Sequence, residues 1–200
     1  MYPVMLNVEN KLCTIIGGGF TALRKAESLA QNGAEIKVIS PEFCDGFNVG
    51  LKIQKTYEPS DIKDSFLVIA ATNDKMVNRK VAEDAKNQKI LAYLVDDAEM
   101  SDFVSPAVSV CGDISLSVST NGKFPLLAKK LSVIKSSDLD LYKAILPIIE
   151  KYRQLILHEN RDTKKEILRD MISDDMIMIA RENLILFEQK VKDLYEKGHN

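Results

Sequence analysis

The 200-residue chain has no tryptophan, three cysteines and two histidines, and each shortage closes off a class of function. Cys13, Cys44 and Cys111 are odd in number and far apart, which suits reduced thiols in the cytoplasm better than a disulfide framework. With only His158 and His199, no His/Cys metal cluster can be built from sequence neighbours, so no resident metal is expected. Positive charge is not in excess: 27 Lys and Arg against 29 Asp and Glu leave a net −2. Non-specific nucleic-acid binding needs a strong basic surplus to displace counterions, so no nucleic-acid partner is expected. No apolar run reaches the roughly 18–20 residues that span a bilayer. The opening MYPVMLNVENK lacks a basic stretch followed by a long apolar one, so no signal peptide and no membrane are expected. Internal repeats and low-complexity tracts are missing as well.

What is present describes a globular protein. Hydrophobic residues make up 46% of the chain, enough for a core, and 28% charge is ordinary. The length suits one domain with an appendage. In the first half, strand and helix patterns alternate. Residues 11–16, 35–40, 51–57, 66–71 and 90–95 read as strands, and 20–32 and 76–87 as helices. The run FLVIAA is apolar at every position, as in a strand covered on both faces. Residues 51–57 carry outward charges that suit a sheet edge. Strands separated by such helices imply right-handed crossovers and a doubly wound parallel sheet.

After Asp97 the rhythm changes. Residues 103–110 and 114–119 read as a hairpin around Cys111-Gly112-Asp113. Pro125 opens a helix with Leu126, Leu127 and Leu131 predicted inward. From Ser137 the chain reads as wholly helical. Ser137 with Asp140 resembles a capping box, and Tyr142, Ile145, Ile149, Tyr152 and Ile156 form a stripe. A single last helix should carry Ile177, Ala180, Leu184, Phe187, Val191 and Leu194 as a packing seam, with Gly198 as its end cap. The expected fold class is α/β: a Rossmann-type parallel sheet over 1–112, a small strand-hairpin/helix region over 113–137, and an all-helical region over 138–200.

Residues 17–22, Gly-Gly-Gly-Phe-Thr-Ala, read as G-x-G-x-x-A between a strand and a helix. Gly17 makes the tight turn, Gly19 admits a pyrophosphate to the backbone, and Ala22 keeps the helix close to the sheet. The helix start then offers free N–H groups to phosphate. The alternative is a merely glycine-rich turn, which the flanking strands disfavour. An acid normally ends the second strand to take the ribose hydroxyls; here Ser40-Pro41-Glu42 places it two residues late, and no arginine awaits a 2′-phosphate. NAD is therefore favoured over NADP. Thr72-Asn73-Asp74 follows a buried strand at the edge where ligands sit, although Asn73-Asp74 could simply cap a helix.

Val95-Asp96-Asp97 puts two carboxylates after another buried strand. One could accept a proton as hydride leaves a substrate, and from position alone the competing reading is that both cap a turn. The segment 119–125, with Ser119, Thr120 and Lys123, could hold an anionic group or be an ordinary capped loop. His158 lies on a charged stretch and reads as a surface residue.

Several stretches together resemble one family. The opening YPVMLN, GGGFTALRKAESLAQNGAEIKVISP (17–41), VIAATND (68–74), VNRKVAEDAK (77–86), LVDDAEMSDFVSPA (94–107) and ISLSVSTNGKFPLLAKKL (114–131) are similar to the precorrin-2 dehydrogenase/sirohydrochlorin ferrochelatase family, the siroheme synthase N-terminal module. The likeness is strong over about residues 1–135 and loose over the helical tail. It implies NAD-dependent oxidation of precorrin-2 to sirohydrochlorin. It places cofactor contacts at Gly17, Gly18, Gly19, Phe20, Thr21, Pro41 and Glu42, and the family's key aspartate at Asp96. Ferrous or cobalt ion becomes a candidate second substrate, since that aspartate is implicated in chelation too. A homodimer intertwined through the region after the Rossmann unit is also implied, which makes 113–137 a dimerisation region. At 200 residues, the methyltransferase domain of bifunctional relatives is not expected here. Precorrin-2 is a polycarboxylate, so Lys123, Lys129 and Lys130 become candidate contacts, while Arg24 and Lys25 could face the pyrophosphate or solvent. Two other classes compete: a non-enzymatic NAD-sensing module, and a chelatase without dehydrogenase activity.

Overall fold

The computed structural model describes residues 1–136, 139–158 and 164–197. The chain divides into two compact units, Met1–Ser105 and Pro106–Asn200. The expected capping box at Ser137, the end cap at Gly198 and the side chain of His158 lie outside the described residues.

The first unit is a five-stranded parallel sheet. Its strands are β1 (Leu12–Ile16), β2 (Glu35–Ser40), β3 (Leu51–Gln54), β4 (Leu67–Ala70) and β5 (Leu91–Leu94), in the order β3-β2-β1-β4-β5. Helix α1 (Phe20–Gln31) links β1 to β2, and α2 (Lys75–Gln88) links β4 to β5. A single 3₁₀ turn at Pro59–Ile62 precedes β4. Alternate residues of each strand feed different cores. Cys13, Ile15, Val38, Leu67 and Ile69 pack with Ala22 and Ala26 of α1. Ile16, Ile39, Val68 and Ala70 pack with Val81, Ala82 and Ala85 of α2. Burying both faces is why β4 is apolar throughout. The small alanines on both helices let them lie close to the sheet. β3 and β5 are the edge strands, and none of the residues of β3 is buried.

The strand order reverses direction between β1 and β4, so their carboxyl ends splay into a crevice. Open α/β sheets bind ligands at that switch point. Gly17 has φ +124, and a Cβ there would overlap the carbonyl oxygen of Ala71. Only glycine lets the chain leave β1 this close to the end of β4.

The second unit begins with an antiparallel hairpin, β6 (Ala107–Cys111) and β7 (Ile114–Val118), in register from Ala107↔Val118 to Cys111↔Ile114. The strand expected from 103 starts only at 107, because Pro106 has no N–H to give a ladder. At its other end β6 runs through Cys111, which pairs with Ile114, so the turn is two residues long, with Gly112 at φ +59 in its first position. β6 pairs with β7 and not with the parallel sheet, so the hairpin lies wholly in the second unit, whose start at Pro106 precedes the expected boundary at 112.

Among the described residues five helices follow: α3 (Pro125–Ser136), α4 (Leu139–His158), α5 (Lys164–Asp170), α6 (Asp174–Glu182) and α7 (Leu184–Lys197). Pro125 does open α3, but Leu126, Leu127 and Leu131 face outward, at 72%, 43% and 39% exposure. Among the described side chains Ala128 and Ser132 are buried, and the Ser109 hydroxyl donates to the Ser132 carbonyl at 3.0 Å. Small residues let α3 sit tightly on the hairpin, which turns the leucines away from it. The expected single last helix is two. Asn183, extended at φ −155, ends α6 and caps α7 by accepting from the Leu186 N–H at 3.0 Å. The seam survives the break in part: Ala180, Phe187 and Val191 are buried with Ile145, Tyr152 and Ile156 of α4. Among the described residues no helix is long and apolar enough to cross a membrane.

Candidate functional site

The crevice at the switch point is a cleft of about 550 Å³, within the range of small-molecule and cofactor sites. Its floor is the glycine turn, Gly17 to Gly19. One wall is the loop after β2, from Ser40 to Cys44, and the other is the loop after β4, from Ala71 to Asp74. Tyr57 and Val77 also line it.

The two loops are pinned by backbone bonds. The Gly17 N–H donates to Ile39 O at 2.9 Å, and the Cys44 N–H to Gly18 O at 2.7 Å. The Ser40 hydroxyl folds back onto Glu42 O at 2.6 Å. The loop after β2 thus straps over Gly18, where a Cβ would overlap the Glu42 carbonyl oxygen. Gly19 differs. A Cβ there would meet nothing within 4 Å, so the space above it is open to a ligand. Gly19 is also the N-cap of α1 and contributes no side chain to the helix end, whose first turn holds no acid. The unpaired N–H groups of that turn stand ready for anionic oxygen. A dinucleotide diphosphate fits this cradle, because the backbone alone forms it and no side chain fills it.

On the opposite wall, Asp74 takes the role of helix cap, accepting from the N–H groups of Met76 at 2.8 Å and Val77 at 3.4 Å. Thr72 is held differently. Its N–H and its hydroxyl both donate to Oδ1 of Asn78, at 3.1 and 2.7 Å, and its carbonyl accepts from Nδ2 of Asn78 at 3.1 Å. The same Nδ2 donates to Oδ1 of Asp96 at 3.0 Å. Asp96 is exposed, and its Oδ2 has no hydrogen-bond partner among the described residues. Asp97 behaves otherwise: it accepts from the N–H groups of Glu99 and Met100, both at 3.2 Å, and so shapes the turn. Of the two carboxylates after β5, one is structural and one is left available.

The predicted residues therefore sort clearly. Gly17, Gly18, Gly19, Pro41, Glu42 and Thr72 line the cleft. Phe20 and Thr21 do not; they are exposed at the start of α1. Asp96 is outside the cleft lining and joined to it through Asn78 and Thr72. Arg24 is exposed, and the Lys25 ammonium lies 5.1 Å from the ring centre of Tyr93, so neither lines the cleft. Burial lowers the pKa of Lys25, and neighbouring Arg24 pushes the same way.

Ser119, Thr120 and Lys123 belong to the second unit. The Ser119 hydroxyl accepts from the Asn121 N–H at 3.0 Å, and the Thr120 hydroxyl from the Phe124 N–H at 3.1 Å. Both hydroxyls thus brace their own loop, while Lys123, Lys129 and Lys130 are exposed. Sequence reasoning passed over Asn78 and Tyr57. Tyr57 donates to Asp84 Oδ2 at 3.0 Å, and burial with that bond pushes its phenol pKa well above the ordinary value. An amide placed among Val81, Ala82 and Ala85 was the available signal for Asn78. Among the described residues, no three His, Cys, Asp or Glu side chains are grouped to hold a metal ion.

Comparison with known proteins agrees with the cleft. The model of a family described as putative NAD(P)-binding matches residues 4–107. A siroheme synthase of Chromobacterium violaceum is 35% identical over 136 residues, 65% of this chain and 29% of that one. A siroheme synthase of Thioalkalivibrio sulfidiphilus is 32% identical over 171 residues, 82% of this chain and 35% of its own. The chain thus spans about a third of the length of these curated relatives. Among solved structures, SirC, a precorrin-2 dehydrogenase, superposes with a TM-score of 0.76 at 27% identity, covering 98% of this chain and all of that one.

Proposed function

This chain belongs to the putative NAD(P)-binding family, in its precorrin-2 dehydrogenase/siroheme synthase branch, and from that premise we propose that it oxidises precorrin-2 to sirohydrochlorin with NAD. The observation that carries the reading is Asp96. A carboxylate with a free oxygen stands exposed at the carboxyl edge of the sheet, tied by one amide to the wall of the cleft over the glycine turn.

Bound NAD would supply the hydride acceptor. The protein's share is to bind, orient and move a proton. The amides of Gly18, Gly19 and the first turn of α1 would hold the NAD diphosphate. Glu42, lining the cleft beyond β2, takes the ribose hydroxyls, and the lack of a cation there disfavours a 2′-phosphate. Asp96 accepts the proton that the macrocycle sheds as its conjugation extends. The balance is one hydride to the coenzyme and one proton to the carboxylate, for each precorrin-2 oxidised. Ferrous or cobalt ion would be a second substrate of the same carboxylate, served by its free oxygen.

Exposed lysines of the second unit, Lys123 above all, are assigned to the substrate's carboxylates. The same unit supports a homodimer. Val108, Val110, Phe124, Leu126 and Leu127 are all more than 40% exposed, apolar side chains that a second copy would cover. A cytoplasmic setting agrees with three free cysteines.

Mixing the purified protein with NAD and precorrin-2 under anaerobic conditions tests the assignment. NADH absorbance should rise in step with the sirohydrochlorin spectrum. A protein that binds NAD yet leaves precorrin-2 unchanged would instead be a nucleotide sensor.

A further inference from the structure

We propose that Asn78 is the positioning residue of the site, aiming the Asp96 carboxylate at substrate and fixing its distance from the cofactor cleft. The inference rests on the dehydrogenase reading for what Asp96 does, and on the hydrogen-bond network alone for what Asn78 does.

Asn78 stands in the first turns of α2, where its helix neighbours Val81, Ala82 and Ala85 are apolar, and it is only 1% exposed. An amide is a poor choice for such a place. It is a weak helix former, and burying it is costly unless its hydrogen bonds are made. Here all four are made. Oδ1 accepts twice from Thr72, and Nδ2 donates once to Thr72 and once to Asp96. The orientation of the amide is not free. The Thr72 N–H can only donate and its carbonyl can only accept, so the oxygen must face the first and the nitrogen the second. Turning the amide over would break both bonds. The end that reaches Asp96 is therefore always a donor.

Two consequences follow for Asp96. Its Oδ1 is occupied by the N–H of a buried amide, which restrains rotation of the carboxylate and leaves Oδ2 as the oxygen without a partner among the described residues. The same side chain grips Thr72 along its backbone, as a neighbouring strand would. The loop after β4, which lines the cofactor cleft, and the acid after β5 thus move as one piece. For a reaction that needs hydride acceptor and proton acceptor held in register, this is orientation rather than chemistry.

A double-mutant cycle separates this role from simple packing. Asn78→Asp keeps an acceptor for the Thr72 N–H and hydroxyl but puts an oxygen where the donor to Asp96 and to the Thr72 carbonyl was. It should lower kcat about tenfold, the scale of a lost hydrogen bond to a charged group, with KM for precorrin-2 and Kd for NAD changed less than about threefold. In the Asp96→Ala background the same substitution should cost less than about twofold, because nothing remains to be aimed. Losses that simply multiply in the two backgrounds would overturn the proposal. A second measurement needs neither turnover nor an Asn78 variant. The side-chain amide protons of Asn78, followed by NMR in the wild-type chain and in Asp96→Ala, should shift for the one bonded to Asp96; identical resonances would equally overturn it. Failure of the wild type to oxidise precorrin-2 would remove the dehydrogenase reading and leave the NMR comparison to decide on Asn78.

Discussion

At the scale of single residues, the site depends on what side chains do not do. Gly17 and Gly19 are two positions apart and should fail in opposite ways. Gly17→Ala forces a Cβ onto the Ala71 carbonyl at φ +124, so it should cost stability on the order of 1–3 kcal/mol, seen as a lower Tm. Gly19→Asp places its side chain in open space and should fold with a Tm near wild type while losing NAD binding in a calorimetric titration. The charge would sit where the diphosphate belongs. Normal NAD affinity in a folded Gly19→Asp chain would contradict the assignment of the turn. Asp96→Asn keeps the shape of the acid and removes its ability to take a proton. Turnover should fall about a hundredfold or more while NAD affinity holds, the lower range for losing an acid–base group. The turn residues were legible in the sequence, since glycine spacing encodes backbone geometry directly. The split between Asp96 and Asp97 could be read only from the family resemblance and not from the residues themselves, because neighbouring acids differ only in which N–H groups they meet.

At the scale of elements, period and punctuation decided how much could be read. β2 falls on Glu35–Ser40 as predicted, bounded by Gly33 and Pro41. The break at Asn183 escaped because the apolar spacing runs across it: Ala180, Leu184 and Phe187 keep a helical interval while the backbone between them is extended. Periodicity reports which side chains share a core and is blind to a one-residue kink. Inward leucines on α3 failed for a related reason, since an apolar stripe says that a face is covered and not by what.

β1 carries a prediction of its own. Cys13 is fully buried in this strand, and burial pushes its thiol up to about 11 from an ordinary 9.0. The folded chain keeps the proton that the unfolded chain gives up near its ordinary value. Stability from this group is therefore whole below about pH 9 and lost as the pH climbs towards 11. Urea midpoints measured across that window should fall more steeply for wild type than for Cys13→Ala. Parallel slopes would show that the thiol is not held neutral.

At the scale of the whole molecule, the second unit carries exposed apolar side chains that a partner could cover. A second copy of the chain is the proposed one, so Leu126→Glu should convert a dimer into a monomer in sedimentation equilibrium. A wild-type chain that is monomeric at high concentration would remove the homodimer from the account. Composition could only signal this surplus of apolar residues; where it is exposed needed the packing of α3 on its hairpin.

The account as a whole stands on a diphosphate lying against the glycine turn, with the nicotinamide directed towards Asp96. The most direct measurement is a crystal structure with NAD and a tetrapyrrole bound together. It should show the diphosphate on the amides of Gly18 and Gly19, and the macrocycle within hydrogen-bonding reach of Asp96 Oδ2. A coenzyme bound elsewhere, or a macrocycle remote from that oxygen, would contradict it.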